Sequence, residues 1–137
     1  MPRSTKYTLS AALSPGVVVY NRTGTTAEPC DADSSASATA ALRPLGVLRS
    51  GGAQGDEAVI AADGELVTVT VASAVADGDM LVCGDGEAGA AVSLGSVAAS
   101  LSDHDGVYTL GRAQAAAASG GTVTMLQNVQ LIFISRP

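Results

Sequence analysis

Large side chains are scarce in this sequence. It contains no Trp, one Phe and three Tyr, so aromatics are 3% of 137 residues although 47% are hydrophobic. Ala and Val supply the apolar content. Burial returns roughly 25 cal/mol per Å² of apolar surface, so an Ala/Val core stabilises less than a Leu/Phe core of equal length. The length fits one domain. A chain with so little bulk is expected to gain stability from partners, as an oligomer or as part of an assembly.

Basic residues are also few, and unevenly placed. From Gly51 to Gly111 there are ten acids (Asp56, Glu57, Asp63, Glu65, Asp77, Asp79, Asp85, Glu87, Asp103, Asp105) and no Lys or Arg. Five of the seven bases, Arg3, Lys6, Arg22, Arg43 and Arg49, precede this stretch, and the net charge is -6. Such a surface repels a phosphate backbone, which argues against direct nucleic-acid binding. The only lysine, Lys6, stands near the start of the chain and not at a hairpin tip. That excludes a lipoyl- or biotinyl-carrier domain.

Two cysteines, Cys30 and Cys83, lie too far apart to form a disulfide framework or a zinc site. They are expected to be reduced and half-buried. No run approaches the roughly eighteen apolar residues of a membrane helix, and "YTLSAALSPG" is too polar and short for a signal peptide's apolar segment. The expectation is a soluble protein made in a reducing compartment. The single histidine, His104, lies in "SLSDHDGVY" between Asp103 and Asp105, a polar turn, and no nucleophile-elbow pattern accompanies it. "GAQGDE" lacks the Lys of a phosphate-binding loop. No convergent catalytic site can be assembled, and no cofactor is implied.

Strands and turns are what the sequence does have. "GVVVYN", "LGVLRS", "MLVCG", "VYTLGRAQA" and "TVTML" are short apolar runs bounded by Gly, Pro or Asp. "DEAVIAADGELVTVTVA" reads as a hairpin turning at Asp63-Gly64, with Val67, Val69 and Val71 on one face and Thr68 and Thr70 on the other. Helical signals are weak: "SSASATAAL" and "AQAAAAS" are short and uncapped. Residues 28–42 read as a long loop or an edge segment. Strands punctuated by turns every ten or so residues predict an all-β sandwich or barrel-like domain.

The acidic stretch "VADGDMLVCGDGEAG" tests as a calcium loop and fails. An EF-hand starting at Asp77 would have Asp79 at its third position, but Leu81 at the fifth and Ala88 at the twelfth. Gly-Asp before a short apolar strand occurs in both "AQGDEAVIA" and "ADGDMLVCG", so turn chemistry accounts for it. In the tail, "VQLIFISRP" places Leu131, Ile132, Phe133 and Ile134 consecutively, apolar on both faces. Such a strand is central in a sheet or covered by another chain.

Taken together, "SPGVVVYNRTG", "GVLRSGGAQGDEAVIAADGELV", "AVADGDMLV" and "LGRAQAAAASGGTVTML" make the chain resemble the small capsid decoration, or cement, proteins of tailed bacteriophages, over about Gly16 to Gln127. In that family the Gly-Val element, the Gly-Asp turn and an alanine-rich closing hairpin follow in this order. The tail after Gln127 extends past the family's usual end.

The resemblance implies a β-sandwich or barrel-like subunit without catalysis or cofactor, made in the host bacterial cytoplasm. It would sit on the outer capsid surface as a homotrimer and clamp neighbouring major capsid protein subunits against internal DNA pressure. On the residues themselves, 1–14 are expected to be an extended arm and 15–137 the β domain. Arg3, Lys6, Tyr7 and Leu9 are the expected partner contacts. Val129, Leu131, Ile132, Phe133 and Ile134 are the expected trimer interface. The competing reading is a β-sandwich adhesion or carbohydrate-binding module, weakened by the shortage of aromatics on which sugars stack.

Overall fold

The computed structural model describes residues 6–21, 24–29, 43–84, 89–98 and 106–133. Their secondary structure is almost entirely β, in two five-stranded sheets. The first sheet contains β1 (Thr8–Leu9), β2 (Val18–Tyr20), β3 (Thr26–Pro29), β4 (Pro44–Ser50) and β5 (Val59–Ile60), in the order β1-β3-β2-β4-β5. The second contains β6 (Leu66–Thr70), β7 (Met80–Cys83), β8 (Ala91–Ser93), β9 (Gly106–Ala113) and β10 (Thr122–Phe133), ordered β6-β10-β9-β7-β8 and antiparallel throughout. The first sheet curls into a half-barrel. Register shifts where β4 meets β2 and β5 mark bulges that bend it, and a bridge from Thr8 to Glu57 carries β1 back toward the segment leading into β5.

Alternation along the strands creates three apolar layers. The main core lies between the sheets and joins Val18, Tyr20 and Val47 of the first to Val67, Val69, Leu81, Leu110, Val123 and Met125 of the second. The concave side of the first sheet holds Leu9, Val19, Ala27 and Leu48. The outer side of the second sheet holds Val82, Val92 and Val107, with Ala72, Leu94 and Ile132 packed against them. Leu94 opens a one-turn helix, α1 (Leu94–Ala98), which the sequence did not announce. Ser93 starts it, its Oγ accepting a hydrogen bond from the Gly95 N–H at 3.2 Å.

One turn recurs four times, as Ala53–Asp56, Ala62–Glu65, Ala76–Asp79 and Ala118–Gly121, each closed by a hydrogen bond from its fourth N–H to the first carbonyl. The third residue is always Gly, with φ between +81° and +93°, the conformation that type II turns demand. In three of them the acid at the fourth position accepts a hydrogen bond from the first residue's N–H: Asp56 at 2.9 Å, Glu65 at 2.7 Å and Asp79 at 2.9 Å. Each turn also brackets one residue of a neighbouring segment. The turn glycine donates to that residue's carbonyl, and the fourth residue's carbonyl accepts from its N–H; the bracketed residues are Leu9, Gln127, Ala113 and Val71. All four are buried.

This device corrects two expectations. The segment around Asp63-Gly64 is not a hairpin, because β5 pairs with β4 while β6 pairs with β10. The turn spends its Gly64 N–H and Glu65 carbonyl on Gln127, so the chain crosses from one sheet to the other there. Residues 6–14 are not a detached arm either. Thr8 and Leu9 pair in parallel with Thr26 and Ala27, and Leu9 is bracketed by the turn at Ala53–Asp56. Leu9 is 2% exposed, and burying such a side chain contributes roughly 1.5–3 kcal/mol.

Candidate interaction surfaces

Among the expected partner contacts, Lys6 is exposed and reaches Glu57 at 4.0 Å, Tyr7 is half-buried beside the Leu9 layer, and Leu9 belongs to the core. Arg3 lies outside the described residues. Lys6 and Tyr7 line one surface depression with Glu57 and Ala58, whereas buried Leu9 takes no part in it. Cys83 is buried in the main core, and Cys30, His104, Asp85 and Glu87 lie outside the described residues. Among the described residues no three His, Cys, Asp or Glu side chains come together as metal ligands, and no helix is long and apolar enough to cross a membrane.

The expected interface strand divides along its length. Up to Leu126, β10 is flanked by β6 and β9. Beyond that it is flanked by β9 alone. Gln127 is bracketed by the turn at Ala62–Glu65; the Val129 N–H donates to Asp63 Oδ1 at 3.1 Å, and Arg43 Nη2 donates to the Val129 carbonyl at 3.2 Å. By the same alternation the backbone groups of Leu131 and Phe133 face this edge, and no described strand pairs with them there. Val129 is a buried residue, which removes it from any exposed interface. Ile132 turns to the opposite face and packs with Val107. Leu131 and Phe133 are 46% and 66% exposed. They lie over Gly106, where an added Cβ would stand 3.3 Å from both Leu131 Cδ1 and Phe133 Cε1. Ile134 is outside the described residues. The two-faced apolar run is thus one residue serving the outer cluster between two that overhang the first sheet.

Three other features escaped the sequence reading. Gln127 is 1% exposed inside the core, a position the inward alternation Val123, Met125, Gln127, Val129 could have revealed. Leu66 and Leu126 are exposed and directly opposite one another on the outer face of the second sheet. Arg112 lies next along the same row, since it pairs in register with both Leu126 and Met80. A depression of about 290 Å³ covers the Leu126–Arg112–Met80 part of this row, lined by Met80, Gly111, Arg112, Gln114, Leu126, Asn128 and Gln130.

Comparison with protein-family models and with curated proteins finds no match for this chain.

Proposed function

We propose that this protein is a structural component of a tailed-phage virion, binding the outside of an expanded icosahedral capsid as a homotrimer and cementing neighbouring coat subunits. The observation that carries this reading is the overhanging end of β10. There Leu131 and Phe133 lie exposed on a strand edge that no described segment covers. Proteins ordinarily guard such edges with charge, proline, bulges or a covering segment, because an open edge invites pairing with another chain. In the first sheet the bridge from Thr8 to Glu57 covers β1, and in the second the bridge from Val71 to Ala91 brings β6 and β8 together. The apolar overhang is what a neighbouring copy would cover.

The resemblance of the Gly-Val, Gly-Asp and alanine-rich pieces supplies the kind of assembly. The role is mechanical, with no catalytic step. A small contact per subunit, repeated over a shell, gives large stabilisation by multivalency. The test is co-sedimentation of the purified protein with expanded and unexpanded empty shells of the cognate phage, beside a glycan array. Saturable binding to expanded shells is expected. Binding to glycans with none to shells would establish the adhesion reading instead.

A further inference from the structure

The described cations do not behave alike. Lys6, Arg43 and Arg49 each stand beside a carboxylate, Glu57 at 4.0 Å, Asp63 at 3.9 Å and Glu65 at 3.0 Å. Arg112 has no carboxylate partner among the described residues. It follows directly on the Gly51–Gly111 stretch, which holds ten acids and no Lys or Arg. Its guanidinium is nevertheless held in place: Nη1 donates to the Gly78 carbonyl at 3.0 Å, and Gly78 belongs to the turn at Ala76–Asp79. That bond uses one of five N–H donors, so an edge of the planar guanidinium remains for a carboxylate.

The two cross-strand partners of Arg112 are apolar. Across β6, β10, β9 and β7 the register places Leu66, Leu126, Arg112 and Met80 in one row. Leu66 is 63% exposed and Leu126 43%. Gln114, Asn128 and Gln130 complete the rim of the depression, and the Gln114 Nε2 donates to the Arg112 carbonyl at 3.3 Å. At ~30 Å³ per water, the depression would hold on the order of ten waters, more room than a single ion needs.

We infer that the row Leu66–Leu126–Arg112–Met80 is a docking site for a protein segment in which an Asp or Glu carboxylate is flanked by apolar side chains. Charge complementarity selects the occupant. The one described cation lacking an acid partner is anchored on the turn at Ala76–Asp79, between two apolar cross-strand partners that a carboxylate-bearing apolar segment would cover. Interface anchors of this kind combine an arginine with desolvated apolar contacts. No aromatic ring lines the depression, so it offers no stacking platform to a sugar. The inference rests on the virion reading, in which the segment belongs to the coat protein. It assigns capsid docking to the outer face of the second sheet and not to residues 6–14.

Arg112→Glu, Leu126→Gln and Arg112→Lys test it, each checked by circular dichroism and melting temperature and then titrated onto expanded shells. Arg112→Glu and Leu126→Gln should each weaken shell binding at least tenfold, with Arg112→Lys intermediate. Wild-type binding should fall as salt rises, because the central contact is ionic. If the wild type binds shells and both disruptive variants bind equally well, this docking site is wrong while the virion reading stands. If the wild type binds no shell, the virion reading fails and the inference falls with it. Displacement of bound protein from shells by oligogalacturonate, but not by a neutral oligosaccharide, would reassign the site to an acidic sugar and overturn the peptide assignment.

Discussion

The side-chain Oε1 of Gln127 accepts a hydrogen bond from the backbone N–H of Val47 at 2.9 Å, across eighty positions of sequence and between the two sheets. Its Nε2 donates to the Ala61 carbonyl at 2.7 Å. Gly46 makes the approach possible: its φ is +144°, and a Cβ there would stand 2.7 Å from Nε2. One amide thus takes the place of ladder bonds where β4, β10 and the crossover at Ala62–Glu65 meet. Replacing Gln127 by Met keeps the bulk and strands a buried N–H and a buried carbonyl. Each unsatisfied group costs about 1–3 kcal/mol, so urea denaturation should show a loss of about 2–6 kcal/mol. A loss below about 1 kcal/mol would mean that water replaces the amide.

Leu9 separates the core from any true arm. Leu9→Ala should destabilise the fold by about 2–5 kcal/mol, the usual cost of emptying a buried leucine site. Removal of residues 1–14 should lower the melting temperature sharply relative to removal of residues 1–5, because only the longer truncation deletes β1. Equal melting temperatures for the two truncations would show that the β1 pairing contributes nothing.

The exposed edge predicts a change in association and not in folding. Leu131→Asp together with Phe133→Asp should shift the oligomer toward monomer in sedimentation velocity, with the β signature of circular dichroism retained. Both side chains already face solvent in the single chain, so folding loses little. An unchanged oligomer would exclude this end of β10 as the subunit contact.

Calcium should not matter to stability. Asp56, Glu65 and Asp79 each direct a carboxylate oxygen at the N–H opening its own turn, which leaves them serving local geometry at separate places. Melts in millimolar calcium and in chelator should overlay. Asp79→Ala should cost about 0.5–2 kcal/mol, as the loss of an N-cap carboxylate does in helices, equally in both conditions. A rise in melting temperature on adding calcium, abolished by Asp79→Ala, would require a metal site.

Sequence alone determined the β class and most strand positions. Alternation is a local property, and Val67, Val69 and Val71 must share a face wherever the strand lies. It also fixed the Gly-Asp turns, because positive φ is a local demand met by glycine. The closing hairpin of β9 and β10 follows from neighbouring segments. Pairing between distant segments was decided only by the tertiary structure. A turn with free backbone groups on its outside takes whichever buried strand residue arrives there. That is why Asp63-Gly64 brackets Gln127 and separates β5 from β6, and why the turn at Ala53–Asp56 draws Leu9 into the core. The row from Leu66 to Met80 joins positions up to sixty apart, and the register shift between Gln127 and Gln130 sets which residue of β9 Leu131 meets. The hydrophobic pattern specifies which face of a strand is buried, but which distant strand it meets is settled only when the sheets assemble.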